Sequence, residues 1–345
     1  MREDVAEFAR RHIAGRAVLP AAVWPEMAGA GLFRIGLPAE YGGDGGTLSD
    51  IAAVEFALAA HGGVPGIAGS WTGHQMVARF FLAGFGSAEQ KAVWLPRMAT
   101  GASTAAVAIS EPGVGAHPKH LTTSARRVTD GFVLDGRKAF VSNGPIADLF
   151  IVLAVSGEGE GRKWYSCFLV PQDTEGLARV ALAVPDPALH CGLVLEHCHL
   201  PTSALLGGEG DAYPQMALPF RDAEDAVGLS GLAGVVGHLV GIVAKGLAAD
   251  ASVEEAASVG GLVGLASLIA HAADGAAAAL DRGEMAQGLM IGARQLAADL
   301  LPRLRARADA RAEPLLRSIE TSLSVARGPR AQRAAGLAMA VRGGD

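Results

Sequence analysis

The residue types best able to bind a metal ion are concentrated in one short segment of this 345-residue chain. They are His190, Cys191, His197, Cys198 and His199. Residues Leu193 to Leu200 alternate as in a β-strand, which sends neighbouring side chains to opposite faces. The three cysteines, which include Cys167, have no CxxC spacing and predict neither a disulfide framework nor a zinc site. We therefore favour a structural role for this cluster and predict no metal site.

The first hundred or so residues carry a helical pattern. Val5, Phe8, Ala9 and Ile13 recur at helical spacing. Thr47 and Asp50 are spaced as a capping box in front of the apolar run Ile51 to Ala60, and Gly86 to Met98 predicts another short helix. We assign residues 1–103 to an N-terminal helical domain.

The middle of the chain changes to short apolar runs of strand length. These runs are Ala105 to Ile109, Phe150 to Val155 and Ser166 to Val170. The dipeptides Asp130-Gly131 and Asp135-Gly136 are of the kind that close β-hairpins. We therefore assign residues 104–212 to a small antiparallel β domain.

The rest of the chain, residues 213–345, returns to helical patterns. Its helix-length segments are Val227 to Leu247, Ala257 to Leu280, Met285 to Ala308 and Pro314 to Val341. Four such segments predict a C-terminal four-helix domain. The order helix, strand, helix predicts an α+β fold in three subdomains.

The composition narrows the classes of partner. A formal net charge of −6 argues against nucleic acid, because phosphate binding needs clustered Lys and Arg. We find no apolar core of a signal peptide at the N-terminus and no run that approaches the roughly eighteen apolar residues of a membrane span. We expect a cytoplasmic protein.

Four sequence motifs occur in order along the first half of the chain. They are Leu-Pro-Ala-Glu-Tyr-Gly-Gly at 37–43, Gly-x-x-Glu-Gln-Lys-x-x-Trp-Leu-Pro at 86–96, Ile-Ser-Glu-Pro-Gly-Val-Gly-Ala at 109–116 and Gly-Arg-Lys-Ala-Phe-Val-Ser-Asn-Gly at 136–144. Each motif alone is weak evidence of a family relationship, but four motifs in this order are specific evidence for one. Over roughly residues 1 to 240 the chain resembles the acyl-CoA dehydrogenase superfamily.

This resemblance implies a fold and a reaction. The expected fold has an N-terminal helical domain, a middle antiparallel β-barrel domain and a C-terminal helical bundle. The expected reaction removes a proton from the carbon next to an acyl-CoA thioester, while hydride passes from the next carbon to FAD. In such a reaction the cofactor accepts the hydride, and the protein binds and orients the cofactor. An electron-transfer flavoprotein or a similar acceptor would then reoxidise the flavin.

The resemblance also assigns candidate site residues. Ser110 and Ser142 match the hydroxyls that contact the flavin, and Phe140 matches the aromatic residue beside its ring. Gly115 and Ala116 belong to the loop that also touches substrate, although Ala116 departs from the family's Ser and His117 stands where an Asp is usual. The structural alternative is that Ser110 caps a turn and Phe140 belongs to the core.

The catalytic base departs from the usual pattern. The family's common position is a Glu before a Gly near the C-terminus, and its counterpart here is Arg327, which stays protonated and cannot act as a base. Some members instead carry a Glu on the first helix after the β domain, and Glu224 matches that position. The alternative is that Glu224 is an acidic first-turn residue favoured by the helix dipole. Asp225 replaces an Arg that is usual there.

Two elements that bind the adenosine diphosphate end of FAD have no counterpart in this sequence. Neither an Arg-x-x-Phe-Gly segment between Lys245 and Gly264 nor a Gln-x-x-Gly-Gly-x-Gly loop between Leu304 and Leu315 is present. We therefore expect a heteromer in which a second acyl-CoA dehydrogenase-like subunit supplies them. Such heteromers occur in the superfamily, some of them acting on steroid side-chain thioesters. The alternative from a different class is a non-catalytic structural or regulatory subunit, since fold does not imply function.

Overall fold

The structure is a computed structural model that describes residues 2–16, 20–183 and 189–342. Its first half begins with the helices α1 (Arg2–His12), α2 (Pro20–Gly29), α3 (Leu48–Gly62), α4 (Pro65–Met76) and α5 (Ala88–Ala99). A π-helical turn, Val77–Ala83, continues α4. The predicted capping box is confirmed, because the Thr47 amide donates to the Asp50 carboxylate over 2.8 Å at the start of α3. The predicted helix after Gly86 is α5, and Ser87 caps it.

The middle of the chain forms one eight-stranded sheet. Its strands are β1 (Ala105–Ala108), β2 (Ser124–Val128), β3 (Gly131–Ser142), β4 (Leu149–Gly159), β5 (Arg162–Pro171), β6 (Leu177–Val180), β7 (His190–Pro201) and β8 (Leu205–Leu206). The main path runs β6-β7-β3-β2-β4-β5-β8, and β1 pairs with β4. The predicted antiparallel arrangement is confirmed for most pairs, whereas β1–β4 and β2–β4 are parallel.

The two predicted hairpin dipeptides behave differently. Asp130-Gly131 lies at the tight connection between β2 and β3, as predicted. Asp135-Gly136 does not turn the chain, and that prediction was wrong: the pair lies inside β3, at a shift in register against β7. Gly136 has a φ of 151° and a Cβ there would lie 2.6 Å from the Thr123 Cα. The glycine therefore serves a bulge and a close backbone approach.

The C-terminal part is helical, as predicted. After a π-helical turn at Tyr213–Ala217 it contains α6 (Leu218–Lys245), α7 (Val253–Asp281), α8 (Gln287–Arg305), α9 (Glu313–Ser324) and α10 (Arg327–Arg342). The fourth predicted segment is therefore two helices. The break falls at Val325 and Ala326, where Ala326 has a φ of 51°. Gly328 and Pro329 follow this break, and a proline in the first turn marks the start of a helix, so the sequence held a signal that the prediction of one segment overlooked.

The contacts within the chain define two compact units that alternate along the sequence. The sheet unit consists of Leu19–Gly46 and Ser70–Asp222, and it contains the whole sheet. Its core is apolar, and the sheet contributes Phe132, Phe150 and Phe168 to it. The helical unit consists of Met1–Val18, Thr47–Gly69 and Ala223–Asp345. In it α1 packs on α3, α3 on α7, and α7 on α8.

Two helical segments are long and apolar enough to cross a membrane by length and composition alone. They are Tyr213–Lys245 and Val253–Asp281. The expectation that no segment approaches this composition was therefore wrong. The first segment is about two-thirds buried within the protein, as a core helix would be, and the second is largely exposed. Length and composition do not by themselves distinguish a core helix from a membrane span.

The Cys and His residues of β7 lie on alternating faces, as the strand pattern predicted. Cys191 and Cys198 are buried free thiols, while His197 and His199 are exposed. In the part of the chain that the structure describes, no three His, Cys, Asp or Glu side chains converge as metal ligands would. Burial raises the pKa of both thiols, and it raises that of the Cys167 thiol to about 12. These cysteines are therefore packed, unreactive side chains.

Candidate functional site

A bulge in β3 turns one aromatic side chain outward. The register of β3 against β7 shifts between Lys138 and Val141, and Phe140 lies in this shift with a φ of 55°. A non-glycine residue in the left-handed region is unusual, and it occurs where the surrounding structure imposes it. The Phe140 ring is 58% exposed. Phe140 is therefore not a core residue, and its exposed face is available to a planar ligand.

Two serines are close to Phe140 along the backbone: Ser142 on β3, and Ser110 just after β1. The Ala139 amide donates to the Ser110 carbonyl over 2.9 Å, which brings the end of β1 next to the bulge. Ser142 is exposed, and its Oγ lies 3.2 Å from the His190 Nδ1 on β7. Ser110 Oγ makes no hydrogen bond to any of the residues that the structure describes. The backbone thus places Ser110, Phe140 and Ser142 near one another in the sheet unit.

The loop after Ser110 is closed by its own backbone. The Glu111 amide donates to the Gly115 carbonyl over 2.9 Å, and the Gly115 amide donates to the Glu111 carbonyl over 3.0 Å. Gly113 and Gly115 have φ values of 75° and 60°, which glycine adopts without strain. Because both backbone groups of Gly115 are used, this residue can offer a ligand only its Cα surface. Ala116 is exposed and presents a methyl group.

A buried ion pair holds this loop against β3. Lys138 Nζ lies 3.0 Å from Glu111 Oε1, and the two side chains are 0% and 4% exposed. Lys138 also donates to the Ile109 carbonyl, and Glu111 accepts from the amides of Thr122 and Thr123. Burial alone would raise the pKa of Glu111, but the Lys138 charge and the threonine hydrogen bonds outweigh it and lower the pKa to about 2. Burial lowers the pKa of Lys138, against the attraction of Glu111.

The Asn-Gly pair at the end of β3 anchors the strand to α4. Asn143 has a φ of 61° and is 2% exposed. Its amide group donates to the Ser70 carbonyl over 2.8 Å and accepts from the Ser70 hydroxyl. A Cβ on Gly144 would lie 2.3 Å from the Cys191 Sγ, so only glycine fits. These residues, with Glu111 and Lys138, lie within the four motifs, but the sequence analysis gave them no role.

Glu224 lies near the N-terminal end of α6, in the helical unit. Burial among the surrounding protein atoms, and then the like charge of Asp225, raise the pKa of Glu224 to about 7. The side chain is nevertheless open to solvent, which weakens both causes without changing their direction. A carboxyl group with a pKa near neutrality is suited to general base catalysis.

Asp225 faces a group of arginines from two later helices. Its Oδ1 accepts from Arg294 Nη2 and Arg330 Nη2, each over 2.7 Å, and its Oδ2 accepts from Arg333 Nη1 over 3.0 Å. Burial would raise the pKa of Asp225, but Arg294 and then Arg330 and Arg333 lower it. Asp225 and Arg327 both line one cavity of the helical unit. The two positions at which the sequence was expected to depart from the family pattern therefore lie around the same cavity.

These features define a class of protein: a helix–sheet–helix fold with an exposed aromatic ring at a strand bulge and two serines near it along the backbone. Family models described as the N-terminal and middle domains of acyl-CoA dehydrogenase match residues 1–102 and 106–187. The acyl-CoA dehydrogenase FadE12 of Mycobacterium tuberculosis is 31% identical over 204 residues, which are 56% of this chain and 50% of that protein. The chain belongs to the acyl-CoA dehydrogenase superfamily.

Solved structures extend the similarity to the C-terminal helices. The butyryl-CoA dehydrogenase of Megasphaera elsdenii superposes with a TM-score of 0.81 at 16% identity, over 99% of this chain and 97% of that one. An FAD complex of PigA has a TM-score of 0.81 at 21% identity, over 93% and 91% of the two chains. At these identities the likeness concerns the fold. The present chain spans about half the length of the FadE12 relative that it matches in sequence.

Proposed function

We propose that this chain binds FAD and takes part in the α,β-dehydrogenation of an acyl-CoA thioester. The observation that carries the proposal is the exposed Phe140 ring, held at a strained φ on a strand that also carries Ser142 and whose backbone contacts Ser110. Strain and exposure of an aromatic residue both cost free energy, and a ligand that stacks on the ring compensates for them. The bound flavin would accept hydride from the substrate.

The residues of this surface fit a flavin ring. Phe140 offers an apolar face, Ser110 offers a hydroxyl with no hydrogen bond to the described residues, and Ser142 offers a second one. The Glu111–Lys138 pair fixes the loop, so these groups are positioned before the ligand binds. Gly115 and Ala116 remain candidates for contact with substrate, through their Cα and methyl surfaces.

Glu224 is our candidate base for the α-proton. Its raised pKa lets it remain a carboxylate near neutral pH while being a stronger base than an ordinary Glu. Arg327, at the other position that the family uses, stays a cation and cannot replace it. The role of Glu224 is proposed from its chemistry and its place in the sequence.

We further propose that the working enzyme is a heteromer. The sequence lacks the segments that grip the adenosine diphosphate end of FAD, and a second acyl-CoA dehydrogenase-like subunit would supply them. An electron-transfer flavoprotein or a similar acceptor would take the electrons. The charge reversal at Asp225 and Arg327 favours one second candidate, a non-catalytic subunit that has kept the fold and uses this cavity otherwise.

Flavin binding tests the first part of the proposal. The full chain is titrated with FAD and with FMN while flavin fluorescence is followed. Because this chain keeps the ring surface and lacks the dinucleotide segments, we expect similar affinities for the two flavins. Phe140→Gly removes the ring and relieves the positive φ, so the free energy of unfolding should stay within about 1 kcal/mol. Flavin affinity should fall about tenfold.

The matched control for this titration is Val93→Ala, which trims an exposed apolar side chain on α5 of the same unit. We expect it to leave flavin affinity unchanged. Equal affinities in the Phe140→Gly variant and the unaltered chain would refute the ring surface as the flavin site. Absence of flavin binding to the folded chain even in complex with a partner subunit would favour the non-catalytic candidate.

Measurement of turnover tests the assignment of Glu224 as the catalytic base. In a reconstituted complex with a partner subunit, Glu224→Gln should retain bound flavin and lower kcat by at least about a hundredfold. Glu254→Gln, which changes an exposed first-turn residue of α7, is the control and should keep full turnover. Full turnover in Glu224→Gln would remove Glu224 from the mechanism.

A further inference from the structure

The helical unit contains a cavity with an unusual excess of positive charge. It has a volume of about 330 Å³, within the range of ligand sites, and is lined by residues of α6, α8, the end of α9 and α10. Four arginines line it: Arg294, Arg327, Arg330 and Arg333. Asp225 is the acidic residue among the lining residues, so the lining side chains, four Arg and one Asp, carry a formal net charge of +3.

The carboxylate of Asp225 does not neutralise this positive charge. Three of the arginines already share its two oxygens, and the carboxylate side chain is 9% exposed. A single carboxylate cannot neutralise several guanidinium groups, each of which keeps its charge at neutral pH. Burial lowers the pKa of Arg294 to about 10, which still leaves it protonated at pH 7.

Arg294 indicates that the cavity is incomplete by itself. Its side chain is 10% exposed, and its Nε and Nη1 atoms are buried without a hydrogen-bond partner among the described residues. A buried guanidinium with free donors is costly, because each unsatisfied group loses its hydration and gains nothing in return. Such a group is expected where an anion binds.

The arrangement of α10 is also unfavourable without an anion. The helix begins at Arg327, so Arg327 and Arg330 place two cations in its first turn. The helix dipole carries partial positive charge at that end and disfavours cations there. Spacing of three residues puts Arg327, Arg330 and Arg333 along one side of the helix. The three charges therefore act on the same volume.

Apart from Gln287 and Gln295, the rest of the wall is apolar. Met290, Ile291 and Ala298 of α8 and Leu323 of α9 line the cavity together with the arginines. A free inorganic anion would use the cations and leave this apolar surface exposed to water. A carboxylate that bears a short hydrocarbon chain would use both, and it would match the planar fork of an arginine.

We propose that this cavity is a binding site for a small organic carboxylate with an apolar tail. The arginines take the carboxylate and the α8 side chains cover the tail. All residues that line the cavity belong to the helical unit, whereas Phe140 belongs to the sheet unit. The site would bind its ligand in the absence of flavin and thioester, so its test is independent of the proposed dehydrogenation.

Isothermal titration calorimetry of the full chain with octanoate tests the proposal. We expect one saturable site whose affinity falls as ionic strength rises. Arg327→Gln removes an exposed cation that does not bond to Asp225, and should weaken binding about tenfold. Arg303→Gln changes an exposed arginine of α8 outside the cavity and should have no effect. Ala298→Leu fills the apolar wall, and should also weaken octanoate binding.

Two further probes separate the parts of the site. Octan-1-ol has the tail without the charge, and inorganic phosphate has charge without the tail, so both should bind more weakly than octanoate. Phosphate binding as tight as octanoate would overturn the proposal, because the apolar wall would then be unused. The proposal would equally fail if octanoate did not bind the folded chain, or if Arg327→Gln and Ala298→Leu both bound it unchanged.

Discussion

Replacing Lys138 by methionine should destabilise the sheet unit by about 3–5 kcal/mol at pH 7. Lys138 and Glu111 lie 3.0 Å apart with side chains that are 0% and 4% exposed. Without Lys138 the Glu111 carboxylate stays buried with no countercharge, and only the hydrogen bonds from Thr122 and Thr123 remain. Removing one partner of a buried pair leaves this desolvated charge, which is the source of the cost.

The same variant should be less affected in acid. In the unaltered chain the pKa of Glu111 is lowered to about 2, so the ion pair contributes stability above the unfolded pKa of about 4.5, and that stability is lost as pH falls towards 2. In Lys138→Met burial is no longer opposed by the lysine charge, so the pKa of Glu111 rises and protonation relieves the cost. The stability difference between the two proteins should therefore shrink below about pH 5.

Urea unfolding followed by tryptophan fluorescence measures this effect. The four tryptophans, Trp24, Trp71, Trp94 and Trp164, all lie in the sheet unit and report on it. Lys163→Met is the matched control, because its partner Glu158 is 60% exposed and stays solvated, so the cost should be about 1 kcal/mol or less. The double variant Glu111→Gln with Lys138→Met removes both charges and should be more stable than Lys138→Met.

Either of two results would refute this reasoning. If Lys138→Met lowered the free energy of unfolding no more than Lys163→Met does, the Glu111–Lys138 pair would not contain a buried charge that needs its partner. If the cost were large but independent of pH between about 5 and 2, it would come from lost packing and not from the Glu111 charge.

Three more predictions follow from the same kinds of contact. Asn143→Ala should lower the free energy of unfolding by about 2–4 kcal/mol, measured by urea unfolding, since it strains a φ of 61° and breaks two buried hydrogen bonds to Ser70. Asp225→Asn should destabilise the helical unit in calorimetric unfolding, by leaving Arg294 buried without its carboxylate, yet tighten octanoate binding by adding to the excess charge. With Glu224 as base, kcat/KM should rise as pH passes through about 7, and Asp225→Asn should shift this limb to lower pH, because the Asp225 charge raises the pKa of Glu224.

Local signals in the sequence predicted the features that local physics determines. The capping box at Thr47, the turn at Asp130-Gly131 and the strand runs of β4 and β5 were all recognised, because neighbouring residues decide them. Asp135-Gly136 was predicted as a turn and forms a bulge. Both structures favour a glycine, and they are distinguished only by how the strand pairs with its neighbour. The apolar composition of α6 was also underestimated. Its sequence is as apolar as a membrane span, because a core helix is apolar on all sides.

The candidate site was predicted in part for the same reason. The motifs singled out Ser110, Phe140 and Ser142, and the backbone of the folded chain places these three near one another. The Glu111–Lys138 pair joins residues 27 positions apart, and the Asp225–Arg330 pair joins residues 105 apart. No periodicity or turn signal links residues at such distances. Only the fold shows that these charges meet.

The two charge replacements in the helical unit are best understood together. Taken singly, Asp225 in place of an Arg and Arg327 in place of a base each suggested a lost contact. Both line one cavity together with three further arginines, and a lining of this charge favours an anion. The two proposed functions should therefore separate by mutation. Glu224→Gln should abolish turnover and leave octanoate binding intact, and Arg327→Gln should weaken octanoate binding while flavin affinity of the chain stays unchanged. If either variant impaired both properties in a folded protein, the cavity and the catalytic site would be one site, and the assignment of separate roles to Glu224 and Arg327 would fail.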